Sequence, residues 1–184
     1  MEGGSAIKLE MDVLTSLCAA KVPHFPQFYH AGRKPGYQYV IMELLGPNLK
    51  SLRQKAPNPD VLTVGTWSRI GIQCLYVVKL LHDSGFVHRD IKPSNFAMGG
   101  PAEDSLNGRM IYLLDFGLAR RFILKKSAAE KLSARGSRPK GEMVVEMVNE
   151  LYKFRKPRIN AEFRGTHRYA SPNAHALCEL VSFI

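Results

Sequence analysis

With 184 residues, 45% apolar and 23% charged, the chain has the composition of one ordinary globular domain, which excludes a wholly disordered, collagen-like or coiled-coil polymer. No apolar run approaches the roughly 18 residues of a membrane span, and the start of the chain lacks the basic and apolar stretches of a secretory leader. A soluble protein of the cytoplasm or nucleus, without a membrane partner, is expected.

Lysine and arginine total 26 against 16 acidic residues, a balance of +10. Such a charge calls for an anionic partner, and its distribution is local. Residues 120–158 hold twelve basic and four acidic side chains, so eight of the ten excess charges lie there. This stretch has few aromatics interleaved for base stacking and no nucleic-acid motif, so nucleic acid is not the expected partner. Cys18, Cys74 and Cys178 are far apart, with no C-x-x-C spacing for zinc or redox chemistry, and read as idle thiols.

In chain order, Ile7, Met11, Leu14 and Cys18 recur at helical spacing until Pro23 and Pro26 break the pattern. Residues 32–36 carry a turn signal, and Tyr37–Met42 is an aromatic and β-branched run that predicts a strand, ended by Gly46 and Pro47. Trp67, Ile70, Cys74, Val77 and Leu81 predict the best helix of the chain over residues 61–83, stopped by Gly85. Residues 96–98 and 110–114 read as two short strands of a hairpin with a polar tip over 99–108. The stretch 121–158 differs in kind. It reads as a long basic loop in which Val144, Met147, Val148 and Leu151 form one face of a short helix ending before Pro157. No internal repeat is present.

The chemistry lies in His88-Arg89-Asp90-Ile91-Lys92-Pro93-Ser94-Asn95. Phosphoryl transfer to a hydroxyl needs a carboxylate that orients the hydroxyl and accepts its proton, and Asp90 is placed for that role. Lys92 can neutralise charge on the transferring group, while Asn95 offers an amide oxygen to magnesium. A single Asp or Asn in a turn usually caps backbone, but eight fitting positions outweigh that reading. Asp115-Phe116-Gly117 follows the apolar strand Ile111 to Leu114, the setting in which an aspartate bridges metal and phosphates, and Phe116 can both pack the core and act as a switch.

Together with Met42 to Leu49 and Phe163 to His175, these motifs resemble the eukaryotic protein kinases, and within them the casein kinase 1 superfamily, nearest its tau-tubulin kinase branch. The likeness runs from about Ile7 to His175, apart from the basic insert. It implies an α+β, kinase-like fold, with a remnant N-lobe over residues 1–45 and an incomplete, mainly helical C-lobe over 46–184. It also implies serine/threonine kinase chemistry with ATP and Mg2+, acting on protein substrates of acidic or already phosphorylated sequence. By position, Met42 resembles the gatekeeper, and Glu43 and Leu45 the backbone that meets adenine. Thr166 resembles the threonine that hydrogen-bonds the catalytic aspartate and lysine. Arg168 and Tyr169 belong to the wall that receives substrate. Ala170-Ser171-Pro172-Asn173 replaces the usual A-P-E, as this superfamily does.

Two departures qualify the enzymatic reading. No G-x-G-x-x-G precedes the hinge. Ile7 to Leu14 resembles the helix that carries the conserved glutamate, which makes Glu10 that residue and leaves its lysine partner upstream of Met1. In the other alignment Lys8 is the V-A-I-K lysine and the helix is shortened, and the two exclude each other. After His175 only nine residues remain, so the chain reads as a kinase core cut at both ends. The competing expectation is an inactive, pseudokinase-like binding module. Oligomeric state is left open.

Overall fold

A computed structural model describes residues 3–56, 62–100, 107–125, 152–156, 158 and 161–178. Most of the basic insert, including Val144, Met147, Val148 and Leu151, and positions 101–106 of the hairpin tip lie outside the described residues.

The mixed α+β character expected from the sequence is observed. Helix α1 spans Gly3–Ala19 and buries Val13, Leu14 and Leu17, with Leu9 packed beside them. Its buried stripe is therefore turned slightly from the Ile7, Met11, Leu14, Cys18 line that periodicity alone selects. Strands β1 (Phe28–Lys34) and β2 (Tyr37–Met42) pair antiparallel through the two-residue turn Pro35-Gly36, where Gly36 has φ +87°. Strand β1 is missing from the sequence reading, which took residues 32–36 as a turn. Gly32 instead continues the strand opposite Tyr39, because a Cβ there would collide with the Tyr39 ring.

Helix α2 (Leu49–Lys55) starts where the Asn48 side chain accepts the Ser51 N–H. Helix α3 covers Val64–Asp83 rather than 61–83, since Thr63 is its N-cap and accepts the Thr66 N–H at 3.2 Å. Val77 and Leu81 are buried on its inner face, with Ile70 and Cys74 packed against the same core. At its end Ser84 and Gly85 donate N–H groups to Leu80 and His82, and Gly85 takes φ +84°.

The C-terminal part is built from two-stranded ladders. Strand β3 (Phe86–Val87) pairs with β6 (Arg120–Arg121). Strand β4 (Phe96–Met98) pairs with β5 (Ile111–Leu113), and β7 (Ile123–Lys125) pairs with β8 (Tyr152–Phe154). The short helix α4 is Pro172–His175.

One apolar core joins α1, α3, β3 and the β4–β5 ladder through Leu14, Leu17, Leu81, Phe86, Leu113 and Phe116. Each fully buried Leu or Phe contributes about 1.5–3 kcal/mol relative to exposure. Two polar clamps fix the β4–β5 hairpin to the rest. Gln73 on α3 donates to the Arg109 carbonyl and accepts the Ile111 N–H, while His24 Nδ1 meets the Ile111 carbonyl at 2.6 Å. Among the described residues no helix is long and apolar enough to cross a membrane.

Candidate functional site

The segment His88 to Asn95 links β3 to β4 and is held from inside. The Asp90 N–H donates to His88 Nδ1 at 3.2 Å, so that nitrogen carries no proton and Nε2–H donates to the Leu114 carbonyl at 3.0 Å. The imidazole is therefore neutral. Burial pushes its pKa below the ordinary histidine value, outweighing the Leu114 carbonyl and the nearby carboxylates. The Asn95 amide donates to the Asp90 carbonyl at 3.0 Å, and the Leu114 N–H donates to the Asn95 carbonyl at 2.8 Å. These bonds lock the loop to the end of β5, so the loop and Asp115 share one support. Arg89 reaches across to the Leu118 carbonyl at 2.6 Å. Arg89 and Asp115 both sit at positive φ, +69° and +66°, a conformation that costs a non-glycine residue energy and is commoner at functional sites.

The structure brings Asp90, Lys92 and Thr166 together. Lys92 Nζ donates to Asp90 Oδ2 at 2.5 Å, Thr166 Oγ1 donates to Asp90 Oδ1 at 2.8 Å, and Lys92 also approaches Thr166 Oγ1 at 3.3 Å. Burial works to raise the Asp90 pKa. The hydrogen bonds from Lys92 and Thr166, with the Lys92 charge, overcome it and hold the carboxyl below its ordinary value. An ionised, oriented carboxylate results.

Residues 76 positions apart can meet this way because Gly165 has φ +115°, and a Cβ there would stand 2.6 Å from the Arg89 carbonyl. A cavity of about 260 Å³ opens beside this group, lined by Asp90, Ile91, Thr166 and Tyr169 among others.

On a second side the Asp115 charge acts on Glu10. Burial raises the Glu10 pKa, the Asp115 charge raises it further, and a hydrogen bond from the Phe116 backbone partly offsets both. Among the described residues no lysine or arginine forms an ion pair with Glu10. Lys8 lies inside α1, exposed and roughly 200° around the helix from Glu10, so the alternative that places it on a strand does not hold. Phe116 is fully buried between Phe25 and His88, with ring centroids at 5.9 and 5.4 Å.

The donor set fits magnesium. Asp115 is exposed and makes no hydrogen bond among the described residues, and the bond from the Asn95 amide nitrogen leaves Oδ1 as that group's acceptor. Two hard oxygen donors plus phosphates are what Mg2+ prefers. Among the described residues no cluster of three or more His, Cys, Asp or Glu would hold a metal without such help.

Met42 ends β2 and packs against the core. Glu43 donates its N–H to the Gln27 carbonyl at 2.8 Å, and the next backbone bond along the chain is from the Gly46 N–H to the Met98 carbonyl at 2.9 Å.

Three contributions were not read from the sequence: the His88 clamp, the close approach at Gly165, and the arginine environment around Arg89. Burial first, then Arg164 and Arg158, lower the Arg89 pKa to about 10. Burial and the charges of Arg158, Arg155, Arg89 and Arg164 do the same for Arg120. The excess of basic residues over 120–158 was the available signal, but only the fold shows that part of it, Arg158, bears on Arg89.

Comparison with known proteins matches residues 2–174 to the protein kinase domain. The inactive tau-tubulin kinase ttbk-6 of Caenorhabditis elegans is 37% identical over 171 residues, covering 91% of this chain and 51% of that protein. The serine/threonine-protein kinase spe-6 of the same organism is 31% identical over 175 residues, 95% of this chain and 38% of that protein. The casein kinase 1-like protein HD16 of Oryza sativa subsp. japonica is 29% identical over 150 residues, 82% of this chain and 17% of that protein. The chain thus spans about half the length of these relatives or less.

Proposed function

The chain belongs to the protein kinase domain family, and from that premise we propose that it carries a casein kinase 1-type serine/threonine kinase site, transferring the γ-phosphoryl group of ATP to protein hydroxyls. The observation that supports this most is the Asp90 carboxylate, ionised and oriented by Lys92 and Thr166. Asp90 accepts the proton of the incoming hydroxyl. Lys92 stands within reach of the same hydroxyl and offsets negative charge building on the transferring group. Thr166 keeps the carboxylate turned toward the acceptor. In this reading residues 1–45 are a remnant N-lobe and residues 46–184 a partial C-lobe. Met42, Glu43 and Leu45 line the adenine side.

Asp115 and Asn95 would hold Mg2+, which supplies charge neutralisation between the phosphates. Asp115→Asn should abolish the Mg2+-dependent gain in ATP affinity, measured by titrating nucleotide with and without the metal. Unchanged Mg2+ linkage in that variant contradicts the assignment. The arginines around Arg89 and Arg120 support acidic or phosphorylated protein sequences as substrates. Peptide binding should then weaken with salt, and a flat salt response contradicts the preference.

A second reading, a catalytically silent binding module, is favoured by one observation. The Asp115 charge helps to raise the Glu10 pKa, and no cation is paired to Glu10 among the described residues. Phosphoryl transfer relies on cations around the phosphates, and one lost donor of that kind typically costs on the order of 10²- to 10³-fold in rate. Nucleotide binding without Asp90-dependent turnover is the signature of this second reading.

A further inference from the structure

A second cavity lies away from Asp90. It is a groove of about 1000 Å³ between α2, α3 and the β4–β5 hairpin, at the upper end of the range for ligand sites. Its floor is apolar, formed by Leu52, Ile70 and Met98, and the exposed Ile72 extends it along α3. The polar side chain at its base is already engaged, since Gln73 bridges Arg109 and Ile111. Arg53 of α2 lines it as well, and two further cations stand on its rim from different elements, Arg69 on α3 and Arg109 in the turn before β5. Both are exposed, and neither has an acidic partner among the described residues. No acidic residue lines the groove among those described.

We propose that this groove docks an acidic, apolar segment of a partner protein. Apolar side chains cover the floor, and carboxylates on either side meet Arg69 and Arg109. Arginine beside a desolvated apolar floor is a common composition for the core of a protein interface. A second copy of this chain fits poorly, because the net charge of +10 sets cation against cation. Pro93 lines the groove one residue beyond Lys92, so a partner held here lies next to the catalytic loop and leaves Asp90 free. Docking is thus independent of phosphoryl transfer.

The probe is a fluorescein-labelled twelve-residue synthetic peptide alternating leucine or phenylalanine with glutamate, titrated onto the 184-residue chain by anisotropy. Its twin carries lysine for glutamate. The glutamate peptide should bind at least ten-fold more tightly than the twin and weaken several-fold between low and physiological salt. Arg69→Glu with Arg109→Glu should cost ten-fold or more, and Ile72→Glu a similar amount. Arg33→Glu, an exposed change on β1 outside the groove, should leave binding unaltered. Equal binding of the two peptides, an unchanged affinity in the double variant, or an equal loss in Arg33→Glu overturns the proposal. On the unaltered chain, a benzophenone-bearing glutamate peptide should crosslink to residues 49–73. Crosslinks confined to residues 120–158 would assign the attraction to the basic segment instead and overturn it. Asp90→Asn should bind the peptide as the unaltered chain does, which separates this site from the kinase reading.

Discussion

In the proposed kinase reading, the acceptor side around Asp90 and the nucleotide side around Glu10 and Asp115 are built to different degrees of completeness. Around Asp90 each carboxylate oxygen has a donor, from Lys92 and Thr166, and the supporting loop is tied by His88, Asn95 and Leu114. At Glu10, burial and the Asp115 charge both disfavour the ionised carboxylate, with one backbone hydrogen bond in mitigation. Burial raises the pKa in both places, yet the net shifts run in opposite directions because cations and donors are present at one site and scarce at the other. Preorganised charge is thus encoded on the acceptor side, while the nucleotide side depends on charge supplied with the phosphates.

Phe116 joins the two sides, and its removal should have the largest effect on stability. Phe116→Ala deletes a fully buried ring packed on Phe25 and His88 and should cost about 3–5 kcal/mol, read from the urea midpoint. A cost under about 1 kcal/mol would mean that the sides are independent.

Gly165→Ala acts on the acceptor side alone. Its Cβ meets the Arg89 carbonyl, and its φ of +115° disfavours any side chain, so a loss of about 1–3 kcal/mol is expected. With Thr166 displaced, the Asp90 pKa should rise toward its ordinary value, as followed by carboxyl NMR titration. The sign is fixed by the depressed folded pKa: the stabilisation is full above the unfolded value of 3.8 and is lost as pH falls through the folded one. The variant should therefore show a weaker acid dependence below about pH 4. An unmoved Asp90 titration would separate Thr166 from the carboxylate.

Glu10→Gln probes the nucleotide side and should give the smallest change, in the opposite sense. The folded pKa of Glu10 is raised above 4.5, so its charged form is disfavoured in the fold. The variant should be slightly more stable than the unaltered chain near neutrality, with the gain shrinking as pH falls toward 4.5. Destabilisation at neutral pH would show that Glu10 has a cationic partner.

Local sequence carried much of this. Eight consecutive positions fix the catalytic loop because its chemistry requires particular residues at particular spacings, and the β4–β5 hairpin was legible from its apolar runs and polar tip. Strand β1 was not, since Gly32, Arg33 and Lys34 have turn-like or charged character and only pairing with β2 makes them extended. The Asp90–Thr166 contact was accessible only through family likeness, because no local pattern spans 76 residues. Nor could composition show that Arg69 and Arg109, 40 positions apart, flank one groove.

The central claim is that Asp90 is the base of an assembled acceptor side, and that the side around Glu10, which has no paired cation among the described residues, is the limiting one. The most direct measurement is transfer of label from γ-labelled ATP with Mg2+ to casein. It compares the 184-residue chain, a chimera carrying a relative's glycine-rich, lysine-bearing segment ahead of α1, and Asp90→Asn in each. The 184-residue chain should transfer no faster than its Asp90→Asn variant. The chimera should transfer label and lose on the order of 10²- to 10⁴-fold with Asp90→Asn. Robust Asp90-dependent turnover by the short chain, or transfer by the chimera that ignores Asp90→Asn, would contradict the account.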